Sequence, residues 1–392
     1  MNVIISAEGA EIMHYIHKLS DWPKFYWQDN TLASQLAVVR LREGRLIGRM
    51  ESLGFQLREE SVLRTLTEET IKSSEIEGEL LDKDQVRSSL ARRLGMDVAG
   101  MVKADRAVEG VVEMMLDATQ NYSQPLTEER LFSWHAALFP TGRNGMTPIN
   151  VGAWREDESG PMQVVSGPVG REQVHYQAPD ARLLPDEMRA FLTWFESKKS
   201  IDPVLAAAIA HLWFVTIHPF DDGNGRIARA ITDLALARAE NSPQRFYSMS
   251  SRIRAERKRY YDILETTQKD SLDITPWLQW FLACLDGAFD HAEETLKAVL
   301  AKARFWEEIK DISLNDRQRL VLNRLLDGFE GNLTSSKWAK LTKTSQDTAS
   351  RDIADLIQKK ILTRTPASGR STSYWVTKLM PEADSDSQDR EP

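Results

Sequence analysis

Residues 218–229 read His-Pro-Phe-Asp-Asp-Gly-Asn-Gly-Arg-Ile-Ala-Arg and bring together an imidazole, two carboxylates, two glycines flanking an amide, and two guanidiniums. The imidazole of His218 can take a proton from an incoming hydroxyl. Asp222 can hold a hard divalent cation through oxygen. Gly223 and Gly225 permit backbone angles and close approaches that side chains block, so free amides at the start of a helix can meet an anion at the positive end of its dipole. Arg226 and Arg229 are three apart, hence on one helical face, and can supply charge-assisted bonds to the outer phosphates of a nucleotide. Taken singly these features are ordinary: a lone His after an apolar helix is more often a buried histidine than a base, and a DGNG string is more often a turn than a phosphate site.

Two helices must position these groups. Val204 to Ile217 is apolar nearly all round, which suggests the buried central helix of a domain, while Ile227, Ile231 and Leu234 recur at helical spacing, so the string is a helix-to-helix connection. In register, HPFDDGNGRIAR resembles the signature of the Fic family, HPFxDGNGRxxR, and matches it at every specified position. The resemblance spreads over residues of about 100 to 290, including the Leu131 to Leu138 helix with His135, the Gly152-Ala153-Trp154-Arg155 turn, and Tyr260-Tyr261 with Trp277 downstream. It implies nucleotidyl transfer, usually of AMP from ATP to a Ser, Thr or Tyr hydroxyl of a protein. His218 would be the general base and Asp222 would hold Mg²⁺ across the α- and β-phosphates. The Gly223, Asn224 and Gly225 loop would steady developing charge through amides and the Asn side chain, and Arg226 and Arg229 would grip the β- and γ-phosphates. A GxxxxGK[ST] loop and the kinase HRD and DFG strings are missing from the sequence.

Upstream, Ser73-Ser74-Glu75-Ile76-Glu77-Gly78 fits the pattern [ST]xxxE[GN], with Ser73, Glu77 and Gly78 at the specified positions. On composition alone this is an acidic helix end with solvated carboxylates. Beside the Fic string it resembles that family's inhibitory motif, which implies that Glu77 pairs with Arg229, denies that guanidinium to the γ-phosphate, and could orient a water for removing AMP. Between the two motifs, Met162 to Gly167 and Gln173 to Tyr176 carry β-prone runs about a Gly-Pro-Val-Gly turn and read as a hairpin. In Fic relatives the corresponding hairpin is a flap over the active site that can pair with a target segment. On that resemblance Val164, Val165, Ser166, Gly167 and Tyr261 are expected nucleotide neighbours.

The chain has 392 residues and 44.6 kDa, enough for two or three domains at roughly 100 to 200 residues per core. With 42% hydrophobic and 28% charged residues, collagen-like, low-complexity and disulfide-scaffold classes are excluded. A net charge of −8 argues against a surface built wholly for nucleic acid, though not against one basic module. Cys284 is the single cysteine, which rules out an intrachain disulfide and a multi-thiolate zinc or iron-sulfur site. The N-terminus lacks a basic start before an apolar run, and no stretch of about 18 residues stays apolar, so a cytoplasmic protein away from membranes is expected.

Residues 1–100 read as an N-terminal helical region with the inhibitory motif, 101–300 as the Fic catalytic domain, 313–378 as a separate small module, and 379–392 as a disordered acidic tail. In the small module Ser313 can cap a helix through Leu326. Helices Ser335 to Leu341 and Ser345 to Lys360 follow, then Ile361 to Arg364, a Gly369 turn, and Ser373 to Thr377. Three helices and a hairpin resemble a winged helix-turn-helix. Residues 333–378 hold nine Lys or Arg against three Asp and no Glu, a net of +6, so this module is the candidate nucleic-acid surface, although such modules also serve dimer and protein contacts. The expected fold class is mainly α: a Fic helical core with a β-hairpin flap plus a C-terminal winged helix-turn-helix. The partners so implied are a protein bearing a hydroxyl side chain, the chain itself, a second copy in a homodimer, and DNA. The rival function is a DNA-binding transcriptional regulator whose Fic core is sensory or removes AMP.

Overall fold

In a computed structural model of the chain, residues 15–96, 101–157, 160–167, 171, 173–197, 200–329, 331–365 and 372–377 are described. The N-terminal start, the expected tail 379–392, the turn at Gly369 and residues 168–170 of the expected hairpin turn lie outside them. The chain divides into two compact units, 1–293 and 294–392.

Helices of the first unit are α1 (Asp29–Glu51), α2 (Phe55–Ile76), α3 (Lys83–Arg93), α4 (Arg106–Gln120), α5 (Glu128–Leu138), α6 (Leu184–Glu196), α7 (Pro203–Ile217), α8 (Asn224–Glu240), α9 (Met249–Ala255), α10 (Arg257–Gln268) and α11 (Thr275–Glu308), the division falling within α11. Two short antiparallel pairs accompany them, β1 (Arg143–Asn144) with β2 (Thr147–Pro148) and β3 (Gln163–Ser166) with β4 (Gln173–Gln177). α7 starts where Asp202 accepts from the Val204 amide at 2.8 Å and Pro203 takes the first turn, a position that needs no amide. From Val204 to Ile217 every α7 residue except Ala206 is buried, and α8 packs along it. Close approach has its own requirement: a Cβ on Gly110 of α4 would collide with the Ala137 carbonyl of α5.

The N-terminal helices and the 101–300 segment are expected as separate regions, yet they form one unit. Polar groups in the N-terminal segment reach deep into the rest of it. Glu69 of α2, 2% exposed, accepts from Ser248 Oγ at 2.6 Å and the Ser250 amide at 3.0 Å at the start of α9. Arg40 and Arg42 of α1 pair with Asp202 at 2.9 Å and Asp286 at 2.7 Å. Tyr176 of β4 donates its hydroxyl to the Thr216 carbonyl at 2.7 Å and therefore accepts from His17 Nδ1 at 2.9 Å. Leu32, Val39, Leu46 and Met50 along α1 are buried, so this helix cannot stand apart.

The second unit holds α12 (Asp316–Leu326), α13 (Ser335–Thr342), α14 (Gln346–Gln358) and the antiparallel pair β5 (Leu362–Arg364) with β6 (Tyr374–Val376). Its core gathers Val321, Leu322, Trp338, Ile353, Leu356, Leu362 and Val376. The expected Ser313 cap is replaced by Asn315, whose side chain bonds the Gln318 amide at 2.9 Å while Gln318 reaches back to the Asn315 amide at 3.0 Å. A reciprocal box satisfies two amides where a lone serine satisfies one.

Gly110→Ala should cost about 1–3 kcal/mol through overpacking at the α4–α5 crossing. Gly44→Ala, where a Cβ on α1 meets open space, should instead stabilise the chain by about 0.5–1 kcal/mol. Chemical denaturation of the two variants checks the opposite signs.

Candidate active site

α7 ends at His218, which sits in the left-handed region at φ 52°, a conformation that costs a non-glycine residue strain and reverses the chain toward α8. Arg155, 2% exposed, holds that bend: its Nε donates to the His218 carbonyl at 2.8 Å and its amide to the Pro219 carbonyl at 2.9 Å. The His218 Nδ1 lies 3.3 Å from the Val215 carbonyl, which can only accept, so Nδ1 carries the proton and Nε2 keeps a lone pair. Burial lowers its pKa to about 4, with the neighbouring Arg155 acting in the same sense and the Val215 bond, Glu77 and Asp222 opposing. The ring is therefore neutral at physiological pH, the form in which it can accept a proton.

Gly223 precedes α8 at φ 80°, and a Cβ there would press on the Phe139 and Leu138 side chains at 3.1 and 3.2 Å. Glycine is thus required twice over, by conformation and by space. Without a side chain it provides no cap, and the first turn of α8 keeps its positive end for an outside anion. Asn224 behaves differently from the expectation that its side chain faces developing charge. Buried at 2% exposure, its Oδ1 accepts from the Phe220 amide at 3.0 Å and its Nδ2 donates to the Phe220 carbonyl at 2.8 Å, so each end of the amide staples the loop. His135, on a helix within the reach of the resemblance, stacks on Phe220 with ring centroids 4.2 Å apart and accepts from the Gly152 amide at 3.2 Å, a packing role beneath the loop.

Arg229 lies 2% exposed on α8. Its Nε donates to Ser73 Oγ and its Nη2 to the Ser73 carbonyl, each at 2.8 Å, and Nη2 is 2.9 Å from Glu77 Oε1. Burial works against this charge and the Glu77 carboxylate outweighs it, so the pKa of Arg229 stands above its ordinary value. A Cβ on Gly225 would run into Glu77 Oε1, so the carboxylate lies directly against the glycine of the loop, where an anion at the start of α8 belongs. The other Glu77 oxygen is 3.3 Å from the Tyr261 hydroxyl. Ser73, Glu77, Gly225, Arg229 and Tyr261 thus meet at one point. Val164 pairs with Tyr176 and Ser166 with Gln173 in the β3–β4 hairpin, whose contact with α10 runs through His175 and Glu265.

A second acid of the site lay outside the expected set. Glu79 Oε2 stands 2.6 Å from Arg226 Nη1, and Arg226 rests over the Phe139 ring at 5.1 Å. Gly78, at φ 87°, turns the chain after α2 so that carboxylates on both sides of it reach α8. Both guanidiniums of the string therefore face acids from one short segment. Arg229 Nη1 and Arg226 Nε have no partner among the described residues, leaving donors for a larger anion.

Asp222 is half-buried at the mouth, one oxygen accepting from the Gly223 amide at 2.6 Å and the other from Asn144 Nδ2 at 2.5 Å. A carboxylate oxygen has two lone pairs, so one on each remains for a hard cation. Among the described residues no three His, Cys, Asp or Glu gather into a group that could hold a metal ion. No helix of the described residues is long and apolar enough to cross a membrane.

Comparison with known proteins places two segments. Residues 15–96 match a family model described as a domain of unknown function, DUF4172, and residues 125–236 match that of the Fic/DOC family. A protein adenylyltransferase Fic of Aedes aegypti is 34% identical over 105 residues, 26% of this chain and 19% of that one. Its namesake in Drosophila ananassae is 27% identical over 218 residues, 55% of this chain and 39% of that one. The chain thus spans well under half of these relatives. A crystal structure of a Fic family protein from Desulfovibrio desulfuricans aligns with 91% of this chain and 98% of its own at 23% identity and a TM-score of 0.49. The segment that carries His218, the glycine loop and both arginines is a Fic domain.

Proposed function

We propose that this chain transfers AMP from ATP to a Ser, Thr or Tyr hydroxyl of a protein and that its N-terminal segment holds the site in a restrained state. The observation that carries the reading is the Glu77 carboxylate lying against Gly225 and Arg229, an anion already seated where the string HPFDDGNGRIAR is built to receive one. The relatives named protein adenylyltransferase support the reaction class.

His218 Nε2, bare and neutral, takes the proton of the target hydroxyl as its oxygen attacks the α-phosphorus, and pyrophosphate leaves in line. The amides of Gly223 and Gly225 meet the charge that develops on the α-phosphate oxygens, while Asn224 holds the loop that aims them. Arg226 and Arg229 grip the β- and γ-phosphates. Mg²⁺ bound at Asp222 would neutralise charge between the α- and β-phosphates. A productive triphosphate has to displace Glu77 from Arg229 and Glu79 from Arg226, since a guanidinium engaged by a carboxylate is closed to phosphate in the same geometry. Glu77 also stands where it can orient a water for the reverse sense, removal of AMP from a modified protein. Val164 to Gly167 and Tyr261 remain the proposed nucleotide neighbours, Tyr261 through its contact with Glu77.

A second role has its own support in the 294–392 unit. Of the three acids in residues 333–378, Asp352 pairs with Arg317 at 2.8 Å and Asp355 with Lys359 at 2.6 Å. Lys340, Lys343, Arg351, Lys360 and Arg364 are exposed, and the net charge of that stretch is +6. Together with α14 and the β5–β6 pair, this favours binding of duplex DNA by a winged-helix module. Val38 and Leu41, exposed on α1, supply the apolar surface for a homodimer.

With α-labelled ATP and Mg²⁺ in a cell lysate, Glu77→Gly should raise labelling of proteins about tenfold or more, the effect of removing a competitor worth about 1.4 kcal/mol. His218→Ala in that background should cut labelling of those proteins by about 10²- to 10⁴-fold, the range of a positioned base. Unchanged labelling in the first variant rules out the restraint, and full labelling in the second rules out the base. Separately, the full chain should shift duplex DNA with affinity falling steeply as salt rises, and Lys340→Glu with Arg351→Glu should weaken it. No shift at low salt removes the DNA-binding role.

A further inference from the structure

The β3–β4 hairpin and α10 bring a hydroxyl, an imidazole and a carboxylate into series, and the reaction above gives the imidazole and the carboxylate no part. Ser166 Oγ lies 2.6 Å from His175 Nε2, and His175 Nδ1 lies 2.7 Å from Glu265 Oε2 on α10. An ionised carboxylate only accepts, so Nδ1 carries the proton, Nε2 is bare, and the Ser166 hydroxyl donates to it. Orienting acid, imidazole base and hydroxyl within hydrogen-bond reach is the arrangement that activates a serine nucleophile. Glu265 is kept in its ionised form: burial works against it, and Lys269, at 2.6 Å, together with His175 outweighs that and holds its pKa below the ordinary carboxylate value.

The hairpin is built to aim this set. Val164 pairs with Tyr176 but Val165 with Val174, so His175 is the extra residue of a bulge, a device that re-aims a side chain. Its neighbour Tyr176 is fixed to the Thr216 carbonyl two residues before His218. On the α10 side, Glu265 stands one turn after Tyr261, which touches Glu77. Tyr261 and Glu265, on one face of α10, thereby link the Ser166 set to the place where Glu77 and Arg229 meet. Competing hydroxyls there are poorer acceptors. Ser73 is buried with its oxygen engaged by Arg229 Nε, and burial with the Glu77 charge pushes Tyr261 up to about 12. Ser166, by contrast, is exposed.

We propose that Ser166 is a modification site of the chain itself, an acceptor hydroxyl for the adenylyl group with His175 as its own base. The inference rests on the AMP-transfer reading above. In the step, Ser166 Oγ forms a bond to the α-phosphorus of ATP and the bond from that phosphorus to the bridging oxygen breaks. Pyrophosphate leaves with the electron pair, and the hydroxyl proton passes to His175 Nε2. The imidazolium so formed is held by Glu265 until it returns the proton to water. Nothing is oxidised or reduced.

The test uses the full chain carrying Glu77→Gly, incubated with Mg²⁺ and α-labelled ATP alone and with a lysate, then digested for peptide mapping by mass spectrometry. The adenylyl group is expected on Ser166. Ser166→Ala should bring self-labelling to background, Ser166→Thr should retain it, and His175→Asn should lower occupancy of Ser166 by about 100-fold, within the range of a lost general base. Self-labelling mapped to another residue, or undiminished in Ser166→Ala, overturns the proposal. An unlabelled chain among labelled lysate proteins overturns it while leaving the AMP-transfer reading intact, and absence of label on every protein overturns both.

Discussion

Arg229 is a guanidinium held at 2% exposure on the first turns of α8, and a charge so placed must have an anion beside it. Leaving a buried charge uncompensated costs about 3–5 kcal/mol, far more than an exposed ion pair returns. Much of the surrounding architecture answers that need. The carbonyl and hydroxyl of Ser73 take two of its donors, the Glu77 carboxylate supplies the charge, and Gly225 clears the space in which that carboxylate lies. On the proposed reading, an anion site that cannot stand empty is filled either by the protein's own acid or by a phosphate. On this account regulation is an exchange of one anion for another rather than an added mechanism.

The exchange reaches beyond one pair because the segment after α2 delivers two carboxylates. Gly78 at φ 87° separates Glu77 from Glu79, and each meets a different arginine on the same face of α8. α2 is itself tied into the unit through Glu69 at the start of α9, so the helix that leads to Glu77 is anchored in the core. Tyr261 and Glu265, one turn apart on α10, connect the acid at Arg229 to the imidazole of the hairpin. The α7–α8 bend, the end of α2 and the β3–β4 pair are thereby joined by polar contacts of named side chains.

The string around His218 was legible in the sequence because its residue types sit within one short, fixed register, and α7 was legible because it is apolar on every face. The Glu77–Arg229 pair was also within reach, though only through a resemblance, since composition alone reads that segment as a solvated helix end. Glu79 escaped because its partner lies 147 positions away and no periodicity signals such a contact. Asn224 was assigned to the charge it flanks, and its bonds to the Phe220 backbone are a role that residue type does not reveal. That the segments on either side of residue 100 pack into one compact unit was hidden for a similar reason. Glu69, Arg40 and Arg42 read as surface charges in sequence, and only the fold reveals that they join α1 and α2 to the helices beyond residue 100.

The central claim is that two carboxylates hold the ground a triphosphate must take. A crystal structure of the chain with Glu77→Gly and Glu79→Gln, grown with Mg²⁺ and a non-hydrolysable ATP analogue, tests it most directly. The account predicts β- and γ-phosphate oxygens within hydrogen-bond distance of Arg226 and Arg229 in the space the two acids left, with the α-phosphorus facing His218 Nε2. An analogue bound elsewhere, with both guanidiniums turned to protein groups, would contradict it.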